Sequence, residues 1–181
     1  MSLIGTKNNK NIYKNLLEKL IPDDIKLYIE PFGGEFGLYE IMKMKPPIAI
    51  YNDINPDLYN QIKEKYKYDL SICCFNKDYK EIIYDYDSEF TFWYIDCPYL
   101  GREYYYKNHT FLKKEDHIEL STILKNIKGR FLISYQDRPL IRKLYKEFNF
   151  YKYTGTNYTL KPEIAITNYV IHNRTTKSYN L

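Results

Sequence analysis

The chain has 181 residues, 44% apolar and 28% charged, with a net charge of +4, the composition of one soluble globular domain with one sizeable core. No stretch approaches the roughly 18 apolar residues of a membrane span, and Met1 to Lys10 has no apolar segment of a secretory leader. The three cysteines, Cys73, Cys74 and Cys97, form neither a disulfide framework nor a zinc-site spacing, so a cytoplasmic, reducing compartment and no metal are expected. Tyrosine occurs 22 times against one tryptophan. Lysine far outnumbers arginine. That skew is what an AT-rich coding sequence gives, as in a low-GC bacterium, a phage or a large DNA virus, and it carries no function. Charge is unevenly spread. Basic blocks at 7–19, 102–114 and 138–146 flank an acidic one at 84–96, which suits a polyanion partner and equally a set of solvated faces.

The elements alternate along the chain. Ile12, Leu16, Leu17 and Leu20 space like one helix face. Leu27 to Glu30 reads as a short buried strand ended by Pro31-Phe32-Gly33-Gly34, and 36–44 as a short helix. Ile48 to Tyr51 is a second strand. Asn55 and Pro56 are good cap and first-turn residues for a helix running to about Tyr66. Leu70 to Phe75 is a third strand, followed by a helix from about Asp78, and Thr91 to Ile95 is a fourth. A loop spans Pro98 to Lys114. Leu120, Ile123, Leu124 and Ile127 then give an amphipathic helix, which Gly129 stops. Phe131 to Tyr135 is strand five. Asp137-Arg138-Pro139 opens a helix burying Leu140, Ile141, Leu144 and Tyr145. Phe148 to Lys152 and Ile164 to Ile171 close the chain, with a polar loop at Thr154 to Glu163 between them. Strands alternating with helices predict an α/β fold, a seven-stranded mostly parallel sheet with helices on both faces and a C-terminal antiparallel pair.

In such a sheet, ligands sit beyond the carboxyl ends of the strands, where strand order switches. The residues after each strand therefore matter most. After the first come Gly33 and Gly34, which either form a plain turn or let a ligand approach the backbone. After the second comes Asn52-Asp53-Ile54-Asn55, with Asp53 at the distance from Gly33 where an acid can accept both hydroxyls of a ribose. Asp78, after the third, is either a second acid in the same crevice or a helix cap. In register, these favour an adenosine-bearing cofactor. After the fourth comes Asp96-Cys97-Pro98-Tyr99. The Asp96 carboxylate and the Cys97 carbonyl can accept two hydrogen bonds from one exocyclic amino group, and Tyr99 offers a face for a planar base.

This set resembles the Dam-like class of S-adenosylmethionine-dependent DNA adenine-N6 methyltransferases, over nearly the full chain. Glu30 to Gly34 match the family's Glu-Pro-Phe-x-Gly cofactor motif, which brings in Pro31, Phe32, Gly33 and Gly34. Asp53, with Ile54 beside it, matches the acidic ribose ligand, and Asp78 the acid that contacts the cofactor's adenine. Asp96-Cys97-Pro98-Tyr99 matches the catalytic Asp-Pro-Pro-Tyr. Gly5-Thr6-Lys7 corresponds to the element near the methionine moiety, so Gly5 and Lys7 join the implied cofactor set. Glu115-Asp116-His117 before a helix, Ser134-Tyr135 ending a strand and Thr167-Asn168-Tyr169 in the last strand fall in the family's order.

The resemblance implies a Rossmann-like methyltransferase fold, S-adenosyl-L-methionine as cofactor, DNA (or RNA) as partner, and direct methyl transfer to a flipped-out adenine. Three departures stand out. Cys97 replaces the first proline of the tetrapeptide while keeping its carbonyl. Glu35-Phe36 stands where the family usually has small residues, with Gly37 available to supply slack. Asp78 and Asp96 are too close in sequence to admit a target-recognition domain between them, so a single domain over 1–181 is expected, with any target reading supplied by a partner subunit. Covalent catalysis by Cys97 is disfavoured, because cytosine chemistry needs the order Pro-Cys. The loop after the tetrapeptide interleaves aromatics with cations, which suits unstacked bases and phosphates. Arg102, Tyr104, Tyr105 and Lys107, with Lys113 and Arg138, are the expected nucleic-acid contacts. Other amine or amide acceptors, among them RNA adenine and cytosine-N4, and a catalytically silent subunit of the same fold are the alternative readings.

Overall fold

The structure is a computed structural model that describes residues 17–100, 112–153 and 163–170. Within them one seven-stranded sheet runs in the order β3-β2-β1-β4-β5-β7-β6. The strands are β1 (Leu27–Glu30), β2 (Ile48–Asn52), β3 (Ile72–Phe75), β4 (Thr91–Ile95), β5 (Arg130–Gln136), β6 (Asn149–Tyr153) and β7 (Glu163–Thr167). The helices are α1 (Glu18–Leu20), α2 (Gly37–Ile41), α3 (Pro56–Lys65), α4 (Tyr79–Tyr86), α5 (Lys114–Leu124) and α6 (Pro139–Leu144). Strands β1 to β5 are mutually parallel. Strand β7 is antiparallel to both β5 and β6, between which it lies. The expected α/β architecture is therefore the observed one.

Alternation along each strand divides the core into two layers. Tyr28, Ala49, Tyr51, Phe92, Tyr94 and Leu132 face one side, where Leu20, Leu38 and Ile62 from α1, α2 and α3 meet them. Ile29, Ile50, Trp93, Ile95, Phe131 and Ile133 face the other, against Ile82, Leu120 and Ile141 from α4, α5 and α6. Every residue of β4 is buried, as a central parallel strand covered on both faces requires.

Several boundaries differ from the sequence expectation. Leu70 is 97% exposed and precedes β3. The Asp69 carboxylate accepts the Ser71 amide at 3.0 Å, and this local turn ends the hydrophobic run before the strand begins. Helix α5 stops at Leu124 with Lys125 as its cap, short of Ile127 and Gly129. Gly129 is instead required by close approach, since a Cβ there would lie 2.7 Å from Trp93 Nε1. Strand β5 continues through Gln136, so Ser134 and Tyr135 lie inside it. Strand β7 ends at Thr167. The Asn168 side chain then accepts from the Phe131 amide at 2.8 Å and donates to the Gly129 carbonyl at 2.9 Å, which turns the chain away from the sheet. In α6, Ile141 is buried and Leu140 and Leu144 are only partly covered.

Candidate active site

Strand β1 has β2 on one side and β4 on the other. Chain connections leave it in opposite directions, so the switch point lies at the carboxyl ends of β1 and β4. The loops there carry Pro31 to Gly34, Asp53 and Ile54, and Asp96 to Tyr99.

The glycine loop is held from beneath by β2. Gly33 donates to the Asn52 carbonyl at 2.7 Å, and a Cβ on Gly33 would lie 2.3 Å from the Tyr51 ring. Gly34 has φ +51 with open space around its missing Cβ. It donates to Asp53 Oδ2 at 2.9 Å and accepts from the Tyr51 hydroxyl at 2.9 Å. Asp53 Oδ1 accepts the Asn55 amide at 2.8 Å. Asp53 thus spans the glycine loop and the start of α3. Burial raises its pKa, and the two amides act against that shift. Ile54 beside it is exposed, an apolar side chain at the crevice mouth. Phe32 leans on Tyr79 of α4 with ring centroids 4.9 Å apart.

The expected slack at Gly37 is not where the loop turns. Gly37 is the first residue of α2, and the left-handed turn belongs to Phe36, with φ 59. Phe36 is buried. It stacks on Tyr39 at 4.5 Å and meets Tyr51 and Tyr66 edge-on at 5.3 and 5.9 Å. Aromatic packing holds a backbone conformation that L-residues avoid.

Asp78 is the N-cap of α4. It accepts the Lys80 amide at 2.9 Å, while Glu81 reaches back to the Asp78 amide. The structure therefore gives it the capping role that the sequence left open, on an exposed carboxylate at the end of β3.

Asn52 is the last residue of β2. It is fully buried. Its amide donates to the Pro31 and Lys77 carbonyls, each at 3.0 Å, and accepts from the Lys77 amide at 3.0 Å. One side chain thus ties together the loops after β1, β2 and β3. An Asn ending a strand gives no sequence signal that separates this clamp from an ordinary turn residue.

Glu30 is also buried, at the very end of β1. Its Oε1 accepts from the Tyr28 hydroxyl at 2.7 Å and the Tyr39 amide at 3.2 Å. Burial pushes its carboxyl up to about 8, those two hydrogen bonds pull it down, and the nearby Asp96 carboxylate adds to the rise. Asp96 and Glu30 are therefore electrostatic neighbours across the switch point.

Asp96, Pro98 and Tyr99 are half-buried as the chain leaves β4, and Cys97 is buried. Tyr99 packs beside Tyr135, centroids 5.9 Å apart, with its hydroxyl 3.3 Å from Ser134 Oγ. Arg138, the N-cap of α6 at the carboxyl end of β5, directs Nε and Nη2 to Gln136 Oε1 at 3.1 and 3.0 Å. Lys113 is exposed at the start of α5. Gly5, Lys7, Arg102, Tyr104, Tyr105 and Lys107 lie outside the described residues. Among the described residues no group of three or more His, Cys, Asp or Glu side chains could hold a metal ion, and no helix is long and apolar enough to cross a membrane.

Comparison with known proteins adds the family. The fold is similar to that of the candidate methyltransferase yhhF of Escherichia coli, at 9% identity and a TM-score of 0.64, covering 92% of this chain and 88% of that one. It is also similar to a candidate methyltransferase of Streptococcus mutans solved in complex with SAH, at 13% identity and a TM-score of 0.58, covering 83% and 93%. An rRNA methylase of Streptococcus thermophilus aligns at 13% identity and a TM-score of 0.53, covering 83% and 90%. These likenesses establish the fold alone. No curated protein matches the sequence significantly. The family model for D12 class N6 adenine-specific DNA methyltransferases matches residues 61–158, just over half of the chain and including the Asp96 to Tyr99 segment. On that match, and on a switch-point crevice of the kind this fold uses, the chain belongs to the D12 class N6 adenine-specific DNA methyltransferase family.

Proposed function

We propose that the chain methylates the exocyclic N6 amino group of adenine in DNA. The observation that carries this reading is the juxtaposition, at one switch point, of the glycine loop with Asp53 on one side and Asp96-Cys97-Pro98-Tyr99 on the other. The methyl donor is S-adenosylmethionine, which supplies an activated methyl group when bound. The residues fit it. Gly34 takes a turn with room above it, Asp53 keeps acceptor capacity beyond its two backbone bonds, and Ile54 offers an exposed apolar surface. Pro31, Phe32, Gly33, Gly34, Asp53 and Ile54 would hold the cofactor, with Asp78 at the far side of the crevice and Gly5 and Lys7 as sequence-level candidates.

Asp96 and the Cys97 carbonyl would each accept one hydrogen bond from the amino group of a flipped-out base. Two acceptors turn the nitrogen lone pair toward the cofactor side. The Tyr99 ring would lie against the base. Catalysis then rests on positioning and on exclusion of water. Lys113 and Arg138, with Arg102, Tyr104, Tyr105 and Lys107, are the proposed contacts to the nucleic acid. Target reading would come from a partner subunit, since a single domain without a recognition insert is the proposed organisation.

RNA adenine is the second reading. What favours it is the likeness to the Streptococcus thermophilus rRNA methylase. Tritium transfer from labelled S-adenosylmethionine to DNA duplexes, single strands and RNA separates the two, with digested nucleosides identified by mass. N6-methyladenine in DNA is expected from the wild type, and a loss of at least about 100-fold from Asp96→Ala. Equal incorporation by both proteins would sink the proposal. Absence of heat on titration with S-adenosylmethionine would instead identify a silent subunit.

A further inference from the structure

Cys97 departs from the proline that its family carries, and a proline fixes its own φ. The Cys97 side chain points back into the core, where the residue is 1% exposed. Its thiol donates to the Tyr135 hydroxyl of β5 at 3.2 Å. The same hydroxyl lies 2.7 Å from Nδ1 of His117, a fully buried residue in the first turn of α5. The Tyr135 hydroxyl therefore joins the Cys97 thiol to the His117 imidazole, with the Tyr145 ring packed beside it at 5.8 Å between centroids. The start of α5 is fixed in turn, because the Lys113 amide donates to Asp116 Oδ2 at 2.7 Å. Three elements thus converge on one residue of the tetrapeptide: the end of β4, the last third of β5 and the first turn of α5.

We propose that Tyr135 and His117 are positioning residues for Cys97, and that the thiol–phenol–imidazole chain replaces the rigidity a proline would give its backbone carbonyl. The proposal rests on the role of that carbonyl as an acceptor for the target amine. It makes Cys97 an anchored residue, not a nucleophile. It also accounts for a fully buried histidine in the first turn of α5.

The test is a mutant cycle read as kcat against KM. Removing the thiol with Cys97→Ala is expected to lower kcat about tenfold, the cost of a small misplacement of a reacting group, with affinity for S-adenosylmethionine unchanged by calorimetry. Cys97→Pro, which carries the family's residue, is expected to give a higher kcat than Cys97→Ala. Tyr135→Phe should lower kcat in the wild type and leave it nearly unchanged in the Cys97→Pro background. His117→Asn, whose side-chain amide can take the place of Nδ1, should retain more activity than His117→Leu. Full kcat in Cys97→Ala, or an equal loss from Tyr135→Phe in both backgrounds, overturns the proposal.

The S–H stretching band gives an independent readout in a protein whose Cys73 and Cys74 are replaced by serine. Tyr135→Phe is expected to shift the remaining band to higher frequency, and an unmoved band also overturns it. Because that measurement needs no turnover, it tests the anchoring of the thiol separately from the function reading, which a wild type that methylates neither DNA nor RNA would refute by itself.

Discussion

Glu30 and Phe36 each hold an unfavourable state that their surroundings enforce. Glu30 has its carboxyl raised to about 8 against an ordinary 4.5, so between those values the folded chain holds a proton that the unfolded chain has released. The contribution of this residue is therefore most favourable below about 4.5 and is lost as pH rises through the interval to about 8. Glu30→Gln keeps an oxygen for Tyr28 and the Tyr39 amide and carries no charge. Urea denaturation at a series of pH values is expected to show wild-type stability falling across that interval by up to a few kcal/mol more than in the variant. A parallel decline in both proteins would remove Glu30 as the cause. At Phe36 two terms compete. Phe36→Ala forfeits the stacking on Tyr39 and the edge-on contacts with Tyr51 and Tyr66 and keeps the left-handed backbone, at a cost of about 3–5 kcal/mol. Phe36→Gly loses the same contacts but releases the backbone strain. It is expected to be about 1 kcal/mol more stable than the alanine variant in the same denaturation experiment.

The loops at the carboxyl ends of the strands behave as one unit because Asn52 joins them. Its side chain is buried and makes three hydrogen bonds, the one to Pro31 buried and the two to Lys77 part-buried, so truncation takes a partner from two carbonyls and an amide. Asn52→Ala is expected to cost about 2–4 kcal/mol. Asn52→Asp should cost more, because its carboxylate would face the Pro31 and Lys77 carbonyls. Both should also weaken cofactor binding in calorimetry, since the glycine loop loses its support. Asp53→Ala removes the acceptor of the Gly34 and Asn55 amides and the proposed ribose ligand together. A dissociation constant raised about 10-fold or more is expected, and an unchanged one would leave Asp53 with only its loop-bracing role. At this scale the sequence was informative where a rule is local. The Asn55 cap with Pro56 behind it opened α3 as expected. The bounds at Leu70, Gly129 and Ile171 missed because side-chain turns at Asp69 and Asn168, and the contact of Gly129 with Trp93, depend on residues distant in sequence or on competition with local hydrogen bonds.

For the molecule as a whole, the short span between Asp78 and Asp96 matters most. Helix α4, a short turn and strand β4 fill it, leaving no room there for an inserted recognition domain. Methylation-sensitive sequencing of DNA treated with the purified chain is expected to find modified adenines in many flanking contexts. A single long recognition sequence would contradict the proposed domain organisation. The contacts proposed for Lys113 and Arg138 also imply weaker binding at higher salt, measurable as a falling log affinity in titrations at increasing salt.

The sequence by itself determined the alternation of strands and helices, the antiparallel closing pair and the candidate cofactor and catalytic segments. Each follows from local periodicity or from a short motif, such as Glu30 to Gly34 or Asp96 to Tyr99, whose chemistry depends on neighbours in the chain. Tertiary structure alone decided that Asn52 clamps three loops, that Phe36 takes the left-handed turn instead of Gly37, that Glu30 neighbours Asp96, and that Cys97 is tied through Tyr135 to His117. The physical reason is the same in each case. These are contacts between residues far apart in sequence, made by parallel strands whose connections run out over the helical layers and back. Their energies depend on burial, which no single stretch of sequence reports.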